Sequence, residues 1–167
     1  MAIADRNIGV RAAGPGDAEA LLHIHRSAIL VLGRDYYSQA ETESWAANLT
    51  AAGYLRAMEQ GGELFHVAFD DGGATVGFYG RKGNEVTALY VDPDRARRGI
   101  GTTLLVHAEQ AIAADGHGRV RIGAALSGRG FYLARGYETE CRADWETRGG
   151  LVLEACDMAK TLVPESA

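Results

Sequence analysis

Leu89-Tyr90-Val91-Asp92-Pro93-Asp94-Arg95-Ala96-Arg97-Arg98-Gly99-Ile100-Gly101-Thr102-Thr103 is the most informative stretch of the chain. A strand ends, Pro93 stops it, three arginines follow, and two glycines flank one residue at a helix start. The first turn of a helix has four backbone N–H groups without intrahelical partners, and its dipole adds about half a positive charge there. Gly99 and Gly101 let a ligand approach that backbone closely. These are the parts of a diphosphate site. A dinucleotide Rossmann turn fits less well, because the third small residue of G-x-G-x-x-G is missing and hairpins precede the segment. A P-loop is excluded, since no Gly-Lys-Ser/Thr follows.

On the N-terminal side, Ile8 to Ala12 is a short strand candidate ended by Gly14-Pro15-Gly16. Apolar residues then recur at helical spacing from Ala18 to Leu32, with Asp17 before them and Gly33 after. Ser38 and Glu41 match a capping box, predicting a helix through Trp45 to about Leu49. A third, short helix is expected from about Thr50 to Met58. The period then changes to strands at Leu64–Phe69, Ala74–Arg81 and Val86–Val91, linked by Asp70-Asp71-Gly72-Gly73 and Lys82-Gly83-Asn84. Beyond the glycines, Ile100, Leu104, Leu105, Ala108 and Ile112 mark one face of a helix to Ala114. Val120–Ala124 is a strand, Ser127–Arg135 a short helix closed by Gly136, and Tyr137–Glu146 with Leu151–Lys160 a last hairpin. The order β-ααα-βββ-α-β-α-ββ runs without a linker or repeat, so residues 1–167 read as one domain.

Hydrophobic residues make up 47% of the 167 and charged residues 23%, which excludes disordered, collagen-like and coiled-coil classes. The net charge of −5 argues against nucleic-acid binding. Residues 76–136 nevertheless carry nine basic against five acidic side chains, which fits a confined anion site. The N-terminal stretch has no apolar h-region and no run is long enough to span a membrane. Cys141 and Cys156 lack any zinc-type spacing. The expectation is a cytoplasmic protein with free thiols and no membrane partner. The two cysteines read as small core hydrophobes, cross-strand neighbours in the last hairpin.

The glycine stretch resembles the acyl-CoA-binding motif of the GNAT superfamily of N-acetyltransferases, Gln/Arg-x-x-Gly-x-Gly/Ala. Phe131-Tyr132-Leu133-Ala134-Arg135-Gly136-Tyr137 is similar to that family's F-Y-x-x-x-G-[FY] signature. The element order matches the superfamily over essentially the whole chain. The resemblance implies an α/β (α+β) fold with a mixed, mostly antiparallel sheet of about seven strands, splayed in the middle and flanked by helices. It implies acetyl-CoA as co-substrate and no metal. Amides from Arg97 through Arg98, Gly99, Ile100 and Gly101 to Thr102 would hold the diphosphate, and the strand backbone at Leu89 and Val91 would pair with the pantetheine arm. Two positions depart from the family pattern. Ala96 replaces Gln or Arg, with Arg95 or Arg97 nearby to compensate. Ser127 stands where Asn is frequent, and it still offers a hydrogen bond to the cofactor.

The implied reaction is acetyl transfer to a primary amine, on a small molecule or a protein, by direct attack. The alternative is a catalytically silent acyl-CoA-binding sensor. Tyr132 is the candidate acid, because a phenol of pKa about 10 stays protonated while a leaving thiolate of about 8.5 accepts a proton. Glu85, opening the central strand, is the candidate base, and His66 a weaker one. The resemblance puts acceptor recognition in the N-terminal helices and last hairpin, with Tyr36, Tyr37 and Trp45 as substrate-binding candidates. Acidic flanks favour a cationic acceptor such as a polyamine, an aminoglycoside or a lysine side chain. His23 and His25 are two apart on a helix, so they form no metal pair. A homodimer is left open.

Overall fold

The structure is a computed structural model that describes residues 7–163. Strand β1 (Gly9–Ala12) leads into helices α1 (Ala18–Leu32), α2 (Gln39–Ala46) and α3 (Ala51–Glu59). Strands β2 (Leu64–Phe69), β3 (Thr75–Lys82) and β4 (Glu85–Val91) follow, then α4 (Ile100–Ala114), β5 (Arg119–Ala125), α5 (Leu126–Leu133), β6 (Glu138–Glu146) and β7 (Val152–Thr161). The expected order of elements is therefore the observed one. The local chemistry explains the boundaries. The Ser38 hydroxyl accepts from the Glu41 N–H while Glu41 accepts from the Ser38 N–H, and Thr50 accepts from the Gly53 N–H. Helix α2 ends at Ala46, earlier than expected, because Ala47 turns to an extended conformation and Asn48 takes a left-handed one.

The seven strands form one sheet in the order β1-β2-β3-β4-β5-β7-β6. Every neighbouring pair is antiparallel except β4 and β5. Those two run parallel and pair only at Glu85–Arg121 and Val86–Ile122. From Thr87 onward the β5-facing edge of β4 has no strand partner, while β5 stays paired with β7 along its whole length. A bulge accompanies the opening. Ala88 lies opposite Gly80 and Val86 opposite Arg81, so Thr87 is the extra residue. The sheet thus splays in its middle, as the resemblance implies.

Strand alternation separates two cores. On one face α4 and α5 cover Tyr79, Val86, Val120, Ile122, Ala124 and Met158, and all five apolar positions picked out on α4 are buried. On the other, α1 and α3 cover Phe65, Val67 and Phe78, with Ala88 and Tyr90 packed alongside. Helix α2 and the last hairpin enclose a third cluster around Tyr37, Trp45, Leu49 and Leu153. His66 stacks on Tyr79 with centroids 5.0 Å apart, a packing role within β2. Cys156 is buried as expected, but Cys141 is exposed. The register sets Cys141 opposite Asp157 and Arg142 opposite Cys156, so the thiols are offset by one residue and point to opposite faces.

Candidate active site

The splay launches two helices from the same end. Strand β4 runs through Asp92 and a single turn at Pro93–Arg95 into α4, and β5 passes directly into α5. Ahead of α4 the backbone takes a left-handed conformation twice, at Arg97 (φ 63°) and at Gly99 (φ 84°). Left-handed residues alternating along a turn bring successive N–H groups onto one concave side, the geometry of an anion nest. Gly99 is the N-cap, so no side chain caps the helix. A Cβ on Gly101 would lie 3.3 Å from the Phe131 ring, which places the first turn of α4 against α5. Arg135 adds a cation here. Its guanidinium lies 3.8 Å from the Phe131 ring centroid and donates to Thr102 Oγ1 at 2.9 and 2.6 Å.

A cavity of about 690 Å³ begins at this nest and passes through the splay. The α4 side is lined by Leu89, Val91, Arg97, Gly99, Ile100, Gly101, Thr102, Ser127, Phe131 and Arg135. Tyr132 stands at the passage, buried on α5, and its hydroxyl has no hydrogen-bond partner among the described residues. Burial raises its pKa further above the ordinary phenol value. The phenol therefore stays protonated at neutral pH.

The α1 side is lined by His25, Trp45, Tyr90, Trp145 and Arg148. His25 stacks on Tyr90 with centroids 4.1 Å apart, and its Nδ1 is hydrogen-bonded to the Tyr54 hydroxyl. Burial, with the Arg148 charge second, pushes the His25 pKa down to about 3. Burial likewise lifts Tyr90 to about 12. Trp45 and Trp145 meet edge to face at 6.4 Å, in space that Gly123 leaves, since a Cβ there would lie 3.0 Å from the Trp145 ring. The hairpin tip is pinned to α2: Gly149 N–H donates to the Ser44 carbonyl at 3.0 Å, and the Ser44 and Thr147 hydroxyls are 2.5 Å apart.

Comparison with known proteins agrees with this geometry. A family model described as an acetyltransferase (GNAT) domain matches residues 34–162. The chain belongs to the GNAT acetyltransferase family. Its relatives include the uncharacterized N-acetyltransferase YafP of Escherichia coli K12, 26% identical over 150 residues, covering 84% of this chain and 92% of that protein. A GCN5-related N-acetyltransferase from Rhodopseudomonas palustris superposes with a TM-score of 0.85 at 31% identity, covering 92% of this chain and 95% of that one. The PaiA N-acetyltransferase of Thermoplasma acidophilum, solved with coenzyme A, gives a TM-score of 0.73 at 25% identity over 93% and 99%.

The co-substrate of a GNAT acetyltransferase is acetyl-CoA, and the residues present fit it. The uncapped glycine nest suits a diphosphate, and the unpaired edge of β4 suits an extended amide-bearing arm. Of the expected cofactor positions, Leu89, Val91, Arg97, Gly99, Ile100, Gly101, Thr102 and Ser127 line the cavity, and Arg98 does not. Arg95 is committed to Asp70 at 2.9 Å, so Arg97 and Arg135 are the cations left to compensate for Ala96. Glu85 lines the cavity where β4 and β5 are still paired, with His66 absent from the lining. Of the expected acceptor aromatics, Tyr37 and Trp45 meet edge to face with centroids 5.7 Å apart, but they do not share the cavity wall. Trp45 lines the cavity; Tyr36 is 59% exposed and Tyr37 is a buried strut, neither of them in the lining. The sequence reading missed Arg135, His25, Tyr90, Trp145 and Arg148. Arg135 had a local signal, standing just before Gly136 in the second motif. The others meet only through tertiary packing. Among the described residues no cluster of His, Cys, Asp or Glu can hold a metal, and no helix is long and apolar enough to cross a membrane.

Proposed function

We propose that this GNAT acetyltransferase moves the acetyl group of acetyl-CoA onto a primary amine by direct attack, with residues 1–167 acting as one domain. The observation that supports this reading is the cavity running through the splay, from the nest at Arg97–Thr102, past Tyr132, to a compartment on the opposite face. Acetyl-CoA supplies an acyl group already activated as a thioester. The chain's residues hold its two ends and manage protons. The backbone of 97–102, with Arg97 and Arg135, balances diphosphate charge. Tyr132 holds a proton at its hydroxyl for the departing sulfur. Val86 packs in the core beneath α4, so alternation puts Glu85 on the acceptor face, where its carboxylate takes the amine's proton through water. Neither cysteine lines the cavity, which agrees with a reaction that needs no acyl-enzyme. A cytoplasmic location goes with this reading, since acetyl-CoA and free thiols coexist there.

Release of CoA thiol in the presence of acetyl-CoA and a broad panel of amines tests the proposal. Amine-dependent release is expected. A silent sensor would bind acetyl-CoA and show no dependence on any amine, and that result would overturn the enzymatic reading.

A further inference from the structure

Two groups on the α1 side of the cavity have no role in the reaction as derived so far. One is His25, which is only 6% exposed and whose Nε2 is buried with no hydrogen-bond partner. A buried polar atom left unsatisfied is costly, so an orphan on a residue lining a cavity points to a ligand. Hydrogen-bond accounting fixes its character. The Tyr54 hydroxyl has no other partner among the described residues, so it satisfies its own hydrogen only by donating to His25 Nδ1. Nδ1 is then the acceptor and Nε2 carries the proton. His25 therefore carries a buried N–H on a ring that lines the cavity. The low pKa of the ring keeps it neutral, which makes it a poor base for an ammonium group.

The other group is Arg148, which lines the same compartment from the β6–β7 turn. Its backbone is held in place: the Asn48 side chain donates to its carbonyl at 3.4 Å, and the Gly149 and Gly150 N–H groups are both engaged at 3.0 Å. Its guanidinium forms no ion pair among the described residues, and its charge is felt at His25, Tyr54 and Tyr90. A neutral N–H on one lining side chain and an uncommitted guanidinium on another supply donors suited to a carboxylate. The carboxylates of Glu85 and Asp157 line the same cavity and suit an ammonium end, and Trp45 and Trp145 offer apolar faces.

We infer that the acceptor is an amine that also carries a carboxylate, an amino acid with an apolar side chain, whose carboxylate is held by His25 Nε2–H and Arg148. This rests on the proposed amine acetylation and narrows it. It also replaces the cationic acceptor expected from net charge, because the local groups carry both signs.

Matched pairs test it: phenylalanine against phenethylamine, and leucine against 3-methylbutylamine, with CoA release measured at saturating acetyl-CoA. The carboxylate-bearing member is expected to have a kcat/KM higher by about tenfold or more, the size of one charge-assisted contact. Arg148→Met should bring that ratio to about one through KM. His25→Leu should lower the ratio, and His25→Gln, which keeps an N–H donor, should restore part of it. A wild-type ratio at or below one, or a ratio that survives Arg148→Met, overturns the inference and leaves amine acetylation standing. Release with no amine at all overturns both.

Discussion

The Tyr37 hydroxyl donates to the backbone carbonyl of Glu154 at 2.6 Å, across 117 positions of sequence. The same oxygen accepts the Leu126 N–H at 2.9 Å, so one phenol ties the α1–α2 link to β7 and to the first turn of α5. Tyr37 thus braces the end of the splay from outside the cavity. Tyr37→Phe leaves a buried carbonyl and a helix-start N–H without their partner, and should reduce stability by about 1–3 kcal/mol. Urea unfolding of the two proteins checks this, and an unchanged midpoint would rule out the bracing role.

Tyr132→Phe should lower kcat by about a hundredfold, within the range of general acid catalysis, and leave acetyl-CoA affinity nearly unchanged. The ring still packs against Phe131 and Tyr137, so only the hydroxyl is lost. Equal losses in turnover and affinity would argue for a packing or binding role.

Glu85→Gln should lower kcat by about a hundredfold, because the amide cannot accept the amine's proton. The residue is exposed at the start of β4, so the fold should tolerate the change. A kcat equal to wild type would exclude Glu85 as the base.

Burial of His25 ties stability to pH. Its folded pKa of about 3 lies below the ordinary 6.5, so between those values the unfolded chain binds a proton that the native state does not. This contribution is fully present above about pH 6.5 and is lost as pH falls toward 3, by at most about 1.4 kcal/mol per pH unit. His66 and His107 are shifted in the same direction, chiefly by burial. Denaturation midpoints measured from pH 7.5 down to 5 should fall, and fall less steeply in His25→Gln. Equal slopes would contradict the buried neutral imidazole.

The elements were legible in the sequence because their signals are local. Ser38 with Glu41 and Thr50 before α3 cap helices through neighbours three residues away, and the five apolar positions of α4 repeat at one helical period. The glycine turn ahead of α4 was legible for the same reason, since Gly99 acts through its left-handed backbone and Gly101 through the missing Cβ beside Phe131. The compartment on the α1 side was not. His25 and Tyr90 are 65 positions apart in sequence and meet only when α1 crosses β4, and Arg148 reaches them only after the last hairpin folds back onto α2. Tyr36 and Tyr37 show the limit of reading aromatic composition. The two are adjacent in sequence, yet one is solvent-exposed and the other a structural brace. The cysteines were misplaced by one residue, because the turn pairs Glu146 with Val152 and that register carries Cys141 opposite Asp157.

Calorimetric titration of acetyl-CoA into wild type and Gly101→Glu tests the nest directly. The carboxylate would project beside Phe131 at the helix start and place a negative charge where the proposal puts the diphosphate. One acetyl-CoA bound per chain in wild type, with binding abolished in a variant that keeps the wild-type circular dichroism spectrum, is the predicted result. Undiminished affinity in folded Gly101→Glu would contradict the account.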